Sequence, residues 1–168
     1  MKKILFLLVV TLASNLVFSQ SFDELEDLDA VSSFVMTKDA FELISKFPEA
    51  KSESLEFFNV LKGLNELKVF SSENTNAVVK MEAMVNDAVK NSSLIQLMRV
   101  KDKDSRIRIY VKSTANKDLV NEVLMFQKET NSKGQIKISI ISLIGEINVN
   151  KLSKIANKYS EKGEIKIK

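Results

Sequence analysis

Between Ile95 and Ile144 the chain passes through four strand-length apolar segments, and no gap between them is long enough for a crossover helix. Ile95 to Lys101 and Arg106 to Lys112 flank the polar loop Asp102-Lys103-Asp104-Ser105. Leu119 to Gln127 and Gln135 to Ile144 flank Thr130-Asn131-Ser132-Lys133-Gly134. Parallel neighbours need a connection of about a dozen residues or more, whereas a loop of hairpin length returns the chain antiparallel. This half of the molecule is expected to be an antiparallel run of strands.

The first half mixes helices with strands. Ser21-Phe22-Asp23-Glu24 reads as a capping box opening a short helix that ends near Asp29, with Phe22, Leu25 and Leu28 on one side. Ala30 to Met36 is a predicted strand. Thr37 is placed to cap a helix over Lys38 to Phe47, with Phe41, Ile44 and Phe47 inward, and Pro48 stops it. A helix is expected from about Glu53 to Lys62, burying Leu55, Phe58 and Leu61, then Gly63 and a strand over Leu67 to Ser72. Thr75 to Lys90 has the clearest helical period, with Val78, Met81, Val85 and Ala88 or Val89 in one stripe. After Gly145 a closing helix is expected over Val149 to Tyr159, with Val149, Leu152, Ile155 and Ala156 inside. The fold class is α+β: a single two-layer domain, its largely antiparallel sheet of about six strands covered on one face by helices.

The amino terminus predicts export. Lys2 and Lys3 precede an apolar run from Ile4 to Ala13, and Val17-Phe18-Ser19 offers small residues before Gln20. A run of about ten residues spans roughly 15 Å of helix against the ~30 Å of a bilayer core, so residues 1–19 read as a signal peptide cleaved between Ser19 and Gln20. Residues 20–168 are then the domain, periplasmic or extracellular. Without cysteine it must be held by its core alone. Gln20 stands where a lipoprotein carries its anchoring cysteine, so no lipid anchor is expected. No transmembrane span is expected either: the greasiest stretch, Ile136 to Ile144, is broken by Lys137, Ser139 and Ser142.

Missing residue types exclude much chemistry. With no histidine and no cysteine, Ser-His-Asp and Cys-His nucleophile systems and the usual zinc sites cannot be built. A Ser-Lys dyad has only the imperfect matches Thr114-x-x-Lys117 and Thr130-x-x-Lys133. There is no phosphate-loop or dinucleotide fingerprint, and four glycines are few for a nucleotide cradle. The acids Asp23, Glu24, Glu26, Asp27 and Asp29 lack calcium-loop spacing and fit the wet side of a helix. The methionines fall at apolar positions and read as core filler. Asn91-Ser92-Ser93 matches a glycosylation sequon, a tripeptide common by chance. No catalytic, cofactor-binding or metal-ligating residue is assigned, and the protein is read as a non-enzyme.

Charge supplies the one candidate surface. The formal net charge is +3, but acids dominate residues 20–60 and bases the rest, so the halves can complement each other or present a polar surface to a charged partner. In Arg106-Ile107-Arg108-Ile109-Tyr110-Val111-Lys112, alternation puts Arg106, Arg108, Tyr110 and Lys112 on one face and the aliphatics on the other. That basic face, extended by Arg99 and Lys101 of the neighbouring strand, is read as exposed, with Tyr110 as a stacking ring. It is either a solvated face or a surface for an anionic ligand. Export argues against nucleic acid, leaving an anionic envelope component or an envelope protein as partner.

The chain also resembles a family of small exported bacterial proteins, common in the Bacteroidetes, known as domain of unknown function DUF4252. The resemblance lies in Phe22-Asp23-Glu24-Leu25, in Val35-Met36-Thr37-Lys38-Asp39-Ala40-Phe41-Glu42-Leu43-Ile44, and in Leu64-Asn65-Glu66-Leu67-Lys68-Val69-Phe70. It continues through Leu97-Met98-Arg99-Val100-Lys101, Ile107-Arg108-Ile109-Tyr110-Val111-Lys112 and Leu143-Ile144-Gly145-Glu146-Ile147. These motifs are structural and imply no catalytic residue. Many relatives look like lipoproteins, from which this chain departs at Gln20. Two classes of function stand: a non-enzymatic envelope binding module, and a carboxylate-dependent glycan hydrolase, which would need two acids facing across a cleft, commonly ~5–9.5 Å apart.

Overall fold

Apolar residues alternate along every long strand from Leu64 onward, and a sheet so patterned must bury at least one face. The computed structural model describes residues 22–46 and 63–150. The six strands are β1 (Ser32–Thr37), β2 (Leu64–Ser72), β3 (Ile95–Lys101), β4 (Ser105–Ser113), β5 (Leu119–Thr130) and β6 (Ile136–Asn148). They form one sheet in the order β1-β2-β6-β5-β4-β3, antiparallel throughout. The helices whose full extent is described are α1 (Lys38–Ser45) and α2 (Thr75–Asn91), and a 3-10 turn covers Phe22–Leu25. The architecture is α+β. The leader and its Ser19–Gln20 junction, Phe47-Pro48 and the helix expected over 53–62 lie outside the described residues, as does the helix expected over Val149 to Tyr159 apart from Val149 and Asn150, which are helical.

Helix α2 lies across one face of the sheet. Asn74 caps it, its Oδ1 accepting from the amides of Asn76 (3.0 Å) and Ala77 (3.2 Å). Such a cap contributes about 1 kcal/mol. The stripe Ala77, Val78, Met81, Val85 and Ala88 is buried, while Val79 on the outer side is 65% exposed. Beneath the stripe stand Phe70, Tyr110, Leu124, Phe126, Ile138 and Ile140, joined by Phe22, Leu25 and Val31 from the N-terminal segment. The residues expected to form a helix over 22–29 make the 3-10 turn instead. Their apolar side chains still enter the core.

Since Val111 follows Tyr110, it points from the opposite face of β4. There it joins a second cluster with Phe41 of α1, Leu64, Val120 and Ile147. The same face carries an in-register apolar row across all six strands: Phe34, Val69, Ile141, Met125, Ile109 and Met98. Both faces of this sheet therefore bear apolar side chains. Where β2 meets β6 the backbones come very close. A Cβ on Gly145 (φ 142°) would stand 2.3 Å from the Gly63 carbonyl oxygen, so this position requires glycine.

A basic corner of the sheet

Strand alternation puts Arg106, Arg108, Tyr110 and Lys112 on the face that α2 covers, not on an open one. Tyr110 is 6% exposed and lies in the core under the helix, which corrects its reading as an exposed stacking ring. Alternation tells which residues share a face. Which face is covered is decided by neighbours: Leu124, Phe126, Ile138 and Ile140 are buried on Tyr110's side, and α2 packs where they are. Lys112 is separated from the two arginines by the buried tyrosine and pairs across strands with Glu122. Burial raises the Glu122 carboxyl above its ordinary value, with the Lys112 charge acting in the opposite sense.

Toward the β3–β4 turn, away from the buried Tyr110, the same face opens: Arg99, Lys101 and Arg106 are exposed and Arg108 is half-buried. Arg99 is directly opposite Arg108, and Lys101 directly opposite Arg106. Next inward, Arg106 faces Lys128 and Arg108 faces Phe126, whose ring centroid lies 5.9 Å from the guanidinium carbon. Lys128 is held by Glu82 of α2, Nζ to Oε2 2.8 Å, which marks the helix's edge. Among the described residues the ion pairs involve none of Arg99, Lys101, Arg106 and Arg108. The four cations thus form a patch two strands wide, ~5 Å across, and two rows deep, about 7 Å along the strands. Like charges directly opposite on adjacent strands destabilise a sheet. An anion between them would relieve that repulsion, and two arginines can grip it with paired N–H groups. The alternation of β4 was readable in the sequence; the register that puts Arg99 on Arg108 was not, because a bulge between Gln96 and Met98 shifts it.

Two further polar constellations were invisible in the linear chain. Ser142 sits directly opposite Lys68 across β6 and β2, and both are buried. A serine beside a buried lysine suggests a nucleophile and base, but the carboxylates around Lys68 argue otherwise. Its ammonium donates a hydrogen bond to Asp23 and lies 3.3 Å from Glu66 and 3.7 Å from Glu26. Burial alone would lower its pKa; the Asp23 hydrogen bond and the charge of Glu66 outweigh burial and hold it above the ordinary 10.5. A lysine kept protonated cannot serve as a base. It fastens the N-terminal turn to β2. Glu66 and Glu122 flank Ile144 on the same face, one strand to either side, with backbones about 10 Å apart.

At the far end of the strands, the turns after β3 and β5 together with Glu73 and Lys137 line an open cavity of about 450 Å³. Its carboxylates, Glu73, Asp102, Asp104 and Glu129, outnumber Lys103 and Lys137. Among the described residues no group of three or more acids converges as a metal site would require, and no helix is long and apolar enough to cross a membrane.

A helix-covered antiparallel sheet with a basic corner at one edge defines an α+β protein. The sequence model of the family described as domain of unknown function DUF4252 matches residues 23–155. The chain belongs to that family. Searches of curated proteins and of solved structures found no match.

Proposed function

We propose that this protein is an exported, non-enzymatic binding module of the bacterial cell envelope, periplasmic or extracellular, that holds an anionic envelope component on the corner formed by Arg99, Lys101, Arg106 and Arg108. One observation carries the reading: two like-charged pairs are set directly opposite each other on β3 and β4, with no carboxylate partner among the described ion pairs. The glycan-hydrolase alternative draws on Glu66 and Glu122. It is the weaker reading, because Glu66 is engaged by Lys68 and Glu122 faces Lys112. Titration of the processed protein with an acidic glycan at low salt should show saturable binding. Binding should fall at least tenfold in Arg106→Ala/Arg108→Ala and weaken strongly at 0.15 M salt, where exposed charges are screened within ~8 Å. Equal binding by both proteins, or by neither, would sink the reading.

A further inference from the structure

We propose that the β3 edge docks this protein, peripherally and edge-on, against a lipid bilayer carrying anionic headgroups. The proposal deepens the anion-binding reading of the same corner and rests on it. Among the described residues strand β3 closes the sheet on one side, pairing with β4 alone. It exposes Ile95 (59%), Leu97 (60%) and Met98 (41%), three large apolar side chains within four residues. Ile95 and Met98 stand opposite Val111 and Ile109, so they point from the face that α2 does not cover. Arg99 and Lys101 point from the other. A strand is one residue thick, so a planar surface approached edge-on meets both sets at once.

Cations beside exposed aliphatic side chains are complementary to an anionic amphiphile: a soluble acidic glycan would engage the cations alone, and a neutral apolar surface the aliphatic side chains alone. The bulge at Leu97 breaks the regular edge and makes strand addition there poor. Pairing with a second copy is disfavoured further, since two β3 edges would bring two sets of four cations together. The opposite edge offers no such combination. On β1, Phe34 and Val35 are exposed, but Ser32, Ser33 and Thr37 flank them and Lys38 is paired with Glu42. Because the open amides and carbonyls of β3 cannot enter hydrocarbon unsatisfied, the strand itself would rest at headgroup level. Leu97 and Met98 would reach the acyl boundary while Arg99, Lys101, Arg106 and Arg108 meet phosphates.

Vesicle co-sedimentation tests this with the processed protein. Vesicles of mixed phosphatidylglycerol and phosphatidylcholine should retain it, and pure phosphatidylcholine vesicles should not. Both Leu97→Ser/Met98→Ser and Arg99→Glu/Lys101→Glu should lower the bound fraction at least fivefold with unchanged melting temperature, while Phe34→Ser should have no effect. Retention on neutral vesicles equal to that on anionic ones would overturn the proposal, as would full retention of Leu97→Ser/Met98→Ser. Pyrophosphate, titrated in parallel, separates the two readings. If it binds in an Arg108-dependent way while vesicles do not, the membrane proposal fails and the anion site stands; if neither binds, both fail. Self-association abolished by Leu97→Ser, without lipid binding, would reassign the edge to a second copy and also overturn it.

Discussion

Lys68 is the residue on which the N-terminal segment depends. Its ammonium is buried while its carboxylate partners keep access to water: Asp23 is 63% exposed and Glu26 38%. Removing the lysine would leave three negative charges facing one another, and their exposure moderates the cost to about 1–3 kcal/mol at neutral pH. Lys68→Met should therefore melt measurably below the unaltered protein. Because the folded-state pKa is raised above 10.5, the stabilisation is fully present below that value and is lost as pH rises through the folded pKa. Melting curves of the two proteins should consequently converge above pH 10.5. A gap in melting temperature that does not narrow there would show that Lys68 acts through packing, not charge.

At the level of elements, α2 carries the largest share of the described core, and its two sides make a clean comparison. Val85→Asp places an unpaired carboxylate at a 2% exposed position and should cost several kcal/mol. Val79→Asp, on the outer side, should change stability by about 0.5 kcal/mol or less. Equal denaturation midpoints would mean that the helix does not pack on this face. The stripe of α2 was legible because a 3.6-residue period over seventeen residues leaves one solution. The β-strands were legible in number and mostly in extent. Strand β2 nevertheless begins at Leu64, three residues ahead of the expected Leu67, because Gly63 and Gly145 let the chain pass close to β6 before regular pairing starts. Strand β4 misled for a different reason. Its aliphatic side, Ile107, Ile109 and Val111, resembles the inner face of a one-sided sheet, but this sheet is apolar on both faces, and Tyr110 is the residue that the long helix covers.

For the molecule as a whole, the family and the α+β class were readable from short structural motifs and the order of segments, which depend on local pattern. The grouping of Lys68 with Ser142, and of Arg99 with Arg108, depends on which strands become neighbours, and no local pattern records that. The proposed export is tested at this scale too. Mass spectrometry of the protein recovered from a periplasmic or culture fraction should give a chain beginning at Gln20, with or without cyclisation to pyroglutamate. Unprocessed protein confined to the cytoplasm would refute it.

The strand order has a consequence for how the chain must be assembled. Strand β6 is the last of the six in sequence, yet it sits between β2 and β5, so the N-terminal hairpin-like unit of β1 and β2 has no inner neighbour until residues near 148 are available. A chain completed amino end first holds β2 and the apolar stripe of α2 without the β6 surface until the last strand is available, since pairings of such long sequence separation form late. The completing event is the docking of β2 against β6, the inner edge of the β3-β4-β5-β6 meander. A chain truncated before β6 therefore leaves β2 and β5 without their shared neighbour and should have no native sheet to recover.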